Sequence, residues 1–316
     1  MKLQEAIERL LVATVADGRS PATGDQYRRR LAGLADFLGP DTDVASITAH
    51  DLRRYVASLR SRRRRWAHHA YREEVSGGLS PATIAGHVRA IKRLFNFLQA
   101  DGIIADNAGK GLRTPRLPKG REPKAVSLED LLSLLAVTEG GEPAQLRDRA
   151  LLLFLADTGA RVGGLVGLGL ADLDLESGTA WVIEKGSKRR AVYLSAMTCD
   201  ALQAWLQVRP EGSQAVFVRL IHGEGLPLQS QGVTQILRRL KKTAGVSGPC
   251  NPHAFRHAFA REYLRNGGDL ATLSDLLGHT DIAVTALHYA VYLPSELQER
   301  HKRYSPIAQL GRNGET

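Results

Sequence analysis

The sequence predicts a mainly α-helical protein with one small β-hairpin, in which a helical N-terminal bundle precedes a mixed, mostly helical second domain. Apolar residues recur at helical spacing along most of the chain, whereas alternation with a period of two is confined to residues 179–194. A basic segment with three prolines, residues 113–124, separates the two helical regions and has the composition of a linker. The 316 residues are enough for two domains that each bury a core.

Four short helices are predicted in the N-terminal region, residues 1–112. Two of them begin with the same signal, a serine N-cap followed by proline at the first helical position, at residues 20–21 and 80–81. Both carry an apolar stripe at helical spacing and end near a glycine. The four helices are expected over residues 3–16, 21–39, 49–59 and 81–102. Their apolar faces predict a small bundle.

The positive charge of the chain lies in its first part. Residues 1–124 hold 23 Lys and Arg against 13 Asp and Glu, while the remaining residues hold 20 of each, so the net charge of +10 arises before residue 125. A basic region ahead of a balanced one is typical of a module that binds a polyanion, although a solvated charged surface explains the composition equally well. The arginine-rich and aromatic run over residues 60–71 is likewise consistent with phosphate contact or with a solvated insertion.

The second domain, residues 125–293, combines helices with the hairpin. Its first helix begins at the N-cap Ser127, and residues 145–158 form an apolar helix that belongs in the core. The hairpin, residues 179–194, turns at Gly186-Ser187. A basic amphipathic helix is predicted over residues 233–244, and it suits either a DNA groove or an ordinary protein surface.

Several classes of protein are excluded by the composition. The longest strongly apolar run, residues 150–156, is too short to cross a bilayer, and Glu5 and Glu8 stand where a signal peptide needs apolar residues. Cys199 and Cys250 provide neither a disulfide framework nor the spacing of metal ligands. We therefore expect a cytoplasmic, reduced protein without a membrane partner.

Four short segments of the second domain carry reactive residue types. They are Thr158-Gly159-Ala160-Arg161, Glu184-Lys185-Gly186-Ser187-Lys188-Arg189-Arg190, His253-Ala254-Phe255-Arg256-His257, and Leu277-Gly278-His279 with Tyr289 ten residues later. Each segment alone is a weak signal because such short patterns occur by chance. All four in this order are highly specific.

In this order the segments resemble the signature of the tyrosine recombinases, the family of phage integrases and Xer-type resolution enzymes. The resemblance covers nearly the whole chain and implies four parts. These are a helical core-binding DNA-binding domain over residues 1–112, a basic linker over 113–124, a catalytic domain over 125–293 and a C-terminal tail helix over 294–316 that docks on a neighbouring protomer. It also implies double-stranded DNA with paired inverted sites as the partner. The chain is expected to be a monomer or weak oligomer when free and a tetramer on DNA, and the sequence identifies no accessory protein.

The resemblance implies a phosphate clamp made by Arg161 and Arg256, with His279 as a third contact. Charge accumulates on the non-bridging oxygens of a phosphodiester under attack, and a planar guanidinium can donate two parallel hydrogen bonds to them. One departure is visible. Family members usually carry a carboxylate three residues after the first arginine, and this chain has Gly164, which leaves open how Arg161 is held.

The resemblance also assigns the groups that move protons. Tyr289 is the implied nucleophile and His253 the implied acceptor of its proton, since a phenol with a pKa of about 10 needs a base at neutral pH. Lys185 is the implied general acid for the departing 5′ oxygen, with Lys188 close enough to be the alternative. His257 is interpreted as a structural histidine.

No cofactor is implied, because the covalent phosphotyrosyl link stores the energy of the broken bond. His253 and His257 stand four residues apart, yet they lack the glutamate of a zinc-protease motif and Arg256 would oppose a cation, so we expect no metal. The expected activity is cutting and rejoining of DNA strands without metal or ATP. Two alternatives remain at this stage, a type IB topoisomerase that relaxes DNA and a DNA-binding protein with a decayed active site.

Overall fold

The computed structural model divides the chain into two compact units, Met1–Arg121 and Glu122–Thr316, with the boundary inside the expected linker. The predicted fold class, mainly helical with a small sheet, is confirmed. The structure describes residues 1–62, 64–65, 75–116, 124–184, 188–220, 225–279, 281–289, 298–299, 301–303, 305 and 307.

The four predicted helices of the first unit are present, with ends that differ by no more than two residues from the expected ones. They are α1 (Leu3–Ala16), α2 (Pro21–Leu38), α3 (Ala49–Ser61) and α4 (Pro81–Ala100). The cap at Ser80 forms as expected, since its hydroxyl oxygen accepts a hydrogen bond from the backbone N–H of Thr83 at 3.1 Å. Leu34, Leu52 and Leu94 are fully buried in the shared core.

A short ribbon, which sequence patterns did not predict, follows α3. Strand β1 (Arg64–Arg65) pairs antiparallel with β2 (Val75–Ser76). Two-residue strands are too short to show the alternation that identifies longer ones. The residues between the two strands, and with them the aromatic part of the basic run, lie outside the described residues.

The second unit surrounds a three-stranded antiparallel sheet with helices. Its strands are β3 (Leu173–Asp174), β4 (Thr179–Glu184) and β5 (Lys188–Tyr193), in that order across the sheet. The predicted hairpin is β4 and β5, and β3 is an addition too short to be seen in the sequence. The helices are α5 (Leu128–Ala136), α6 (Pro143–Thr158), α7 (Val162–Val166), α8 (Ala196–Val208), α9 (Ser230–Thr243), α10 (Pro252–Arg265), α11 (Leu270–Leu277) and α12 (Ile282–Tyr289).

Helix α6 is the centre of this unit, as its apolar sequence predicts. Most of its middle residues are fully buried, and it packs against α8 and α10. The small residues Ala180 and Val182 of β4 face the core, while Trp181 and Ile183 point outwards, so the period of two corresponds to a one-sided sheet. Within the described ranges, none of the helices combines the length and the apolar character that a bilayer span requires.

Candidate active site

The first arginine of the expected signature begins a new helix after a sharp reversal of the chain. Helix α6 ends at Gly159, which adopts a left-handed conformation with φ of 57°. A Cβ atom at this position would lie 2.7 Å from the ring of Phe259, so a side chain would displace its neighbour. Two residues later Arg161 caps α7, with 35% of its side chain exposed. The reversal therefore presents a partly accessible guanidinium.

Arg256 joins the segments that carry the other site residues. It lies on α10 with 5% of its side chain exposed. Its Nη1 atom donates to the carbonyl oxygen of Gly159 at 2.9 Å, and its Nη2 atom donates to that of Leu277 at 2.7 Å. These carbonyls lie at the C-terminal ends of α6 and α11. One buried side chain therefore holds the turn before Arg161 beside the turn before His279.

His279 connects this cluster to the helix that bears the expected nucleophile. Its Nε2 atom lies 2.9 Å from Nη2 of Arg256, and its Nδ1 atom lies 2.6 Å from the hydroxyl of the fully buried Thr285 on α12. A guanidinium can only donate, so Nε2 accepts and Nδ1 carries the proton that is donated to Thr285.

Tyr289 ends the described part of α12 and is half-buried. Its ring packs against a small apolar cluster formed by α10 and α11, and its hydroxyl lies 2.6 Å from Nδ1 of His257. Burial raises the pKa of Tyr289 above its usual value, and the positive charges of Arg256 and Arg161 oppose this shift. The phenol is therefore protonated at neutral pH in the DNA-free protein and has to lose its proton to attack.

The histidine that contacts the phenol differs from the one predicted to do so. His253 is exposed in the first turn of α10, and in the described part of the chain its side chain forms no hydrogen bond. His257 lies one turn further along α10 and makes the contact with the phenol, although the sequence analysis interprets it as a structural histidine. Its four-residue spacing from His253, which places both on one side of the helix, was the available signal.

Across the described ranges, no group of three or more His, Cys, Asp or Glu side chains could hold a metal ion.

The expected general acid, Lys185, lies outside the described residues, as does the turn after it. Lys188, the alternative, is the exposed first residue of β5 and stands opposite Glu184 in the hairpin register. The roles of the two lysines therefore remain predictions.

Two residues of the hairpin join the site although sequence reasoning did not select them. Glu184 has 6% of its side chain exposed, and its carboxylate contacts Arg161, lies 2.9 Å from Nη2 of Arg190 and lies 3.9 Å from Nη1 of Arg256. Both residues stood within the hairpin segment of the signature. A lone acidic residue among four basic neighbours was the signal for an internal ion pair.

The electrostatics of the cluster favour an anion. Burial, followed by repulsion from Arg161 and Arg190, lowers the pKa of Arg256 to about 9. Burial alone lowers the pKa of Arg190 to about 10. Both groups remain charged at pH 7, so three guanidinium groups with one carboxylate leave two positive charges beside a phenol. The negatively charged oxygen of a phosphodiester would neutralise part of this positive charge.

Two family models match the chain in the same order as its two units. The phage integrase family model matches residues 124–294, and the N-terminal SAM-like domain of phage integrases matches residues 12–102. The chain therefore belongs to the phage integrase family, and the resemblance to tyrosine recombinases is confirmed.

Within this family, the chain is similar to the Xer enzymes. It is 34% identical over 304 residues to tyrosine recombinase XerD of Listeria innocua, covering 93% of this chain and 96% of the relative. It is 32% identical over 270 residues to tyrosine recombinase XerC of Yersinia pestis, covering 85% and 84%. Among solved structures, the Tn1549 transposon integrase in complex with a circular intermediate DNA matches with a TM-score of 0.72 and 18% identity, covering 96% of this chain and 100% of that one.

Proposed function

We propose that this chain is a site-specific DNA recombinase that cuts and rejoins strands through a phosphotyrosyl link on Tyr289. The observation that carries this proposal is a chain of contacts: Arg256 holds the turn before Arg161, and His279 joins Arg256 to the helix that ends at Tyr289, in a member of the phage integrase family. Relatives named tyrosine recombinases, and an integrase solved with DNA, support it. They do not favour the topoisomerase or the decayed DNA-binding protein.

The reaction exchanges one phosphoester for another. The Oη atom of Tyr289 attacks the scissile phosphorus, the bond from phosphorus to the 5′ oxygen breaks, and Lys185 gives that oxygen a proton. A 3′-phosphotyrosyl link and a free 5′ hydroxyl result. A 5′ hydroxyl of a partner duplex then attacks the link and releases the tyrosine. Because the number of phosphoester bonds is unchanged at each step, neither ATP nor a metal is needed for the balance.

The arginines stabilise the charge that develops on the non-bridging oxygens. Arg161, partly exposed, donates directly to the phosphate, while the buried Arg256 adds charge and fixes the segments around it. His279, held beside Arg256 and Thr285, is the third phosphate contact that the resemblance implies, and it donates to the phosphate once its Nε2 atom carries a proton. A preorganised donor of this kind is typically worth about 3–4 kcal/mol of transition-state stabilisation.

The proton of Tyr289 has two candidate acceptors, His253 by resemblance and His257 by contact. We expect His257→Gln to have the larger effect on the pH dependence of cleavage. Burial raises the pKa of the phenol, so without a base the rate should keep rising with pH, where the wild-type rate levels off. His253→Gln is the matched control and should keep the wild-type profile. The opposite result in rate-against-pH measurements would assign the proton transfer to His253.

The test of the proposed function is covalent capture. The purified chain is incubated, in EDTA and without nucleotide, with duplexes that carry a nick beside a randomised segment. Cleavage releases a short fragment that diffuses away, which leaves the protein attached to DNA. We expect complexes that resist SDS and whose DNA is enriched for one sequence with inverted symmetry. A complete lack of SDS-resistant complexes, or a strict need for a divalent cation, would contradict the proposal.

The assembly that exchanges strands is proposed to be a tetramer, with the tail linking the protomers. The segment 295–303 has few apolar residues, and Ile307 after it is 73% exposed, so the tail has little to bury in its own protomer. An exposed apolar residue beside a polar segment fits docking on a neighbour.

A chain ending at Leu293 should therefore fold, bind a single site and still form the phosphotyrosyl link. It should lose cooperative binding to paired sites and lose strand exchange, because the pocket for the tail on its neighbour stays empty. Gel-shift titration on one-site and two-site DNA measures both properties, with the full chain as the control. Equal cooperativity of the two chains would show that the contacts between protomers lie elsewhere.

A further inference from the structure

Glu184 is a buried carboxylate whose surroundings are unusual in their charge. An ionised carboxylate is costly to bury unless its charge and its hydrogen-bonding capacity are satisfied. Glu184 meets both conditions through its contacts with Arg161 and Arg190. Arg256 lies somewhat further away, with its Nη1 atom 3.9 Å from the carboxylate. The same three arginines repel one another, which adds to the effect of burial in lowering the pKa of Arg256. The carboxylate and the arginines thus hold each other in place.

The partners of Glu184 come from three separate segments of the second unit. Arg161 lies in the turn before α7, Arg190 lies on β5 and Arg256 lies on α10. Glu184 itself is the last residue of β4 and immediately precedes Lys185 in the chain. One side chain therefore connects the base of the hairpin to the phosphate-binding arginines.

The packing around Gly164 explains why the carboxylate that contacts Arg161 lies on β4 and not on α7. A Cβ atom at Gly164 would lie 3.1 Å from the Cβ atom of Val182, which is closer than ordinary contact, so α7 packs tightly on this strand. A side chain three residues after Arg161 would require Val182, which is fully buried, to shift by a few tenths of an ångström. Side chains two apart on a strand share a face, so Glu184 extends from the face that α7 covers. The absence of a side chain at Gly164 and the position of the Glu184 carboxylate are therefore two features of the same packing of α7 on β4.

The geometry points to Glu184 as the positioning residue that orients Arg161 for the scissile phosphate, with Arg190 holding the other side of its carboxylate, in place of the carboxylate that Gly164 lacks. This inference rests on the proposed recombinase activity. Glu184 touches no substrate atom and acts through the guanidinium groups. Its loss should slow the attack on phosphate by misaligning the clamp, while DNA affinity stays unchanged or rises because the site becomes more positive.

The test compares Glu184→Gln with wild type on two substrates built from the sequence recovered by covalent capture. One has an ordinary scissile phosphate, and the other has a methylphosphonate, which lacks the negative charge that aligned arginines neutralise. We expect Glu184→Gln to slow covalent attachment on the phosphate by about 100-fold, since small misalignments in a site have effects of this order. On the methylphosphonate, the loss relative to wild type should be much smaller. Glu176→Gln, an exposed carboxylate just before β4, is the matched control and should react like wild type on both.

Equal losses on the two substrates would mean general damage to the fold and would overturn the inference. Wild-type rates for Glu184→Gln would overturn it as well. If circular dichroism shows that this variant is unfolded, Glu184→Asp carries the same comparison, because it withdraws the carboxylate by one methylene and keeps its charge. A wild-type chain that never attaches to DNA would instead refute the proposed function and, with it, this inference.

Discussion

Tyr289→Phe should abolish covalent attachment to DNA and leave DNA binding nearly unchanged. The attacking atom is removed, so no phosphotyrosyl link can form, whereas the ring that packs on α10 and α11 is kept. The variant also loses the hydrogen bond between the phenol and His257, which changes stability by only about 1 kcal/mol. SDS-resistant complexes measure the chemistry, and gel shifts measure the binding.

Tyr263→Phe is the matched control for this prediction. Tyr263 packs in the same small cluster as Tyr289, so the two variants disturb similar surroundings. It should form covalent complexes at the wild-type rate. A Tyr289→Phe chain that still forms them would disprove the assignment, and Tyr292, the next phenol along the chain, would be tested next.

Lys185→Ala should cleave ordinary DNA poorly but cleave a sulfur-substituted substrate well. A general acid contributes about 10²–10⁴-fold to a rate, and that factor is lost when the leaving 5′ oxygen receives no proton. A 5′ bridging sulfur leaves without protonation, so the variant should recover nearly the wild-type rate on that substrate. The initial rates of covalent complex formation on the two substrates measure the effect.

Lys188→Ala separates the two lysines of the hairpin. Lys188 is exposed at the start of β5, and its variant should lose little on either substrate. If Lys188→Ala shows the selective defect instead, the general acid is Lys188. Equal defects of Lys185→Ala on both substrates would assign Lys185 to a role other than proton donation.

The helices and the principal site segments could be predicted because their signals are local. A serine cap followed by proline fixes where α4 begins, and the left-handed glycine fixes where α6 ends before Arg161. These features depend on neighbours within a few residues. The basic charge of the first region could also be predicted, because it depends on the composition of the sequence and not on how the chain folds.

The partners of the site residues could not be predicted because they depend on packing between distant segments. Arg256 donates to a carbonyl 97 residues earlier, and no spacing in the sequence encodes that contact. Glu184 looked like one charge in a basic turn, and only the approach of α7 and α10 to β4 turns it into the centre of an arginine cluster. His257 on α10 similarly gains its contact from Tyr289, which lies 32 residues later at the end of α12.

In the proposed reaction the phenol of Tyr289 becomes bonded to DNA. This step is tested most directly by trapping the protein on a nicked substrate, digesting protein and DNA, and locating the attached nucleotide by mass spectrometry. We expect a nucleotide 3′-phosphate on the peptide that contains Tyr289, with fragment ions that assign it to that residue. A nucleotide on any other residue, or an SDS-resistant complex without a phosphotyrosine, would contradict it.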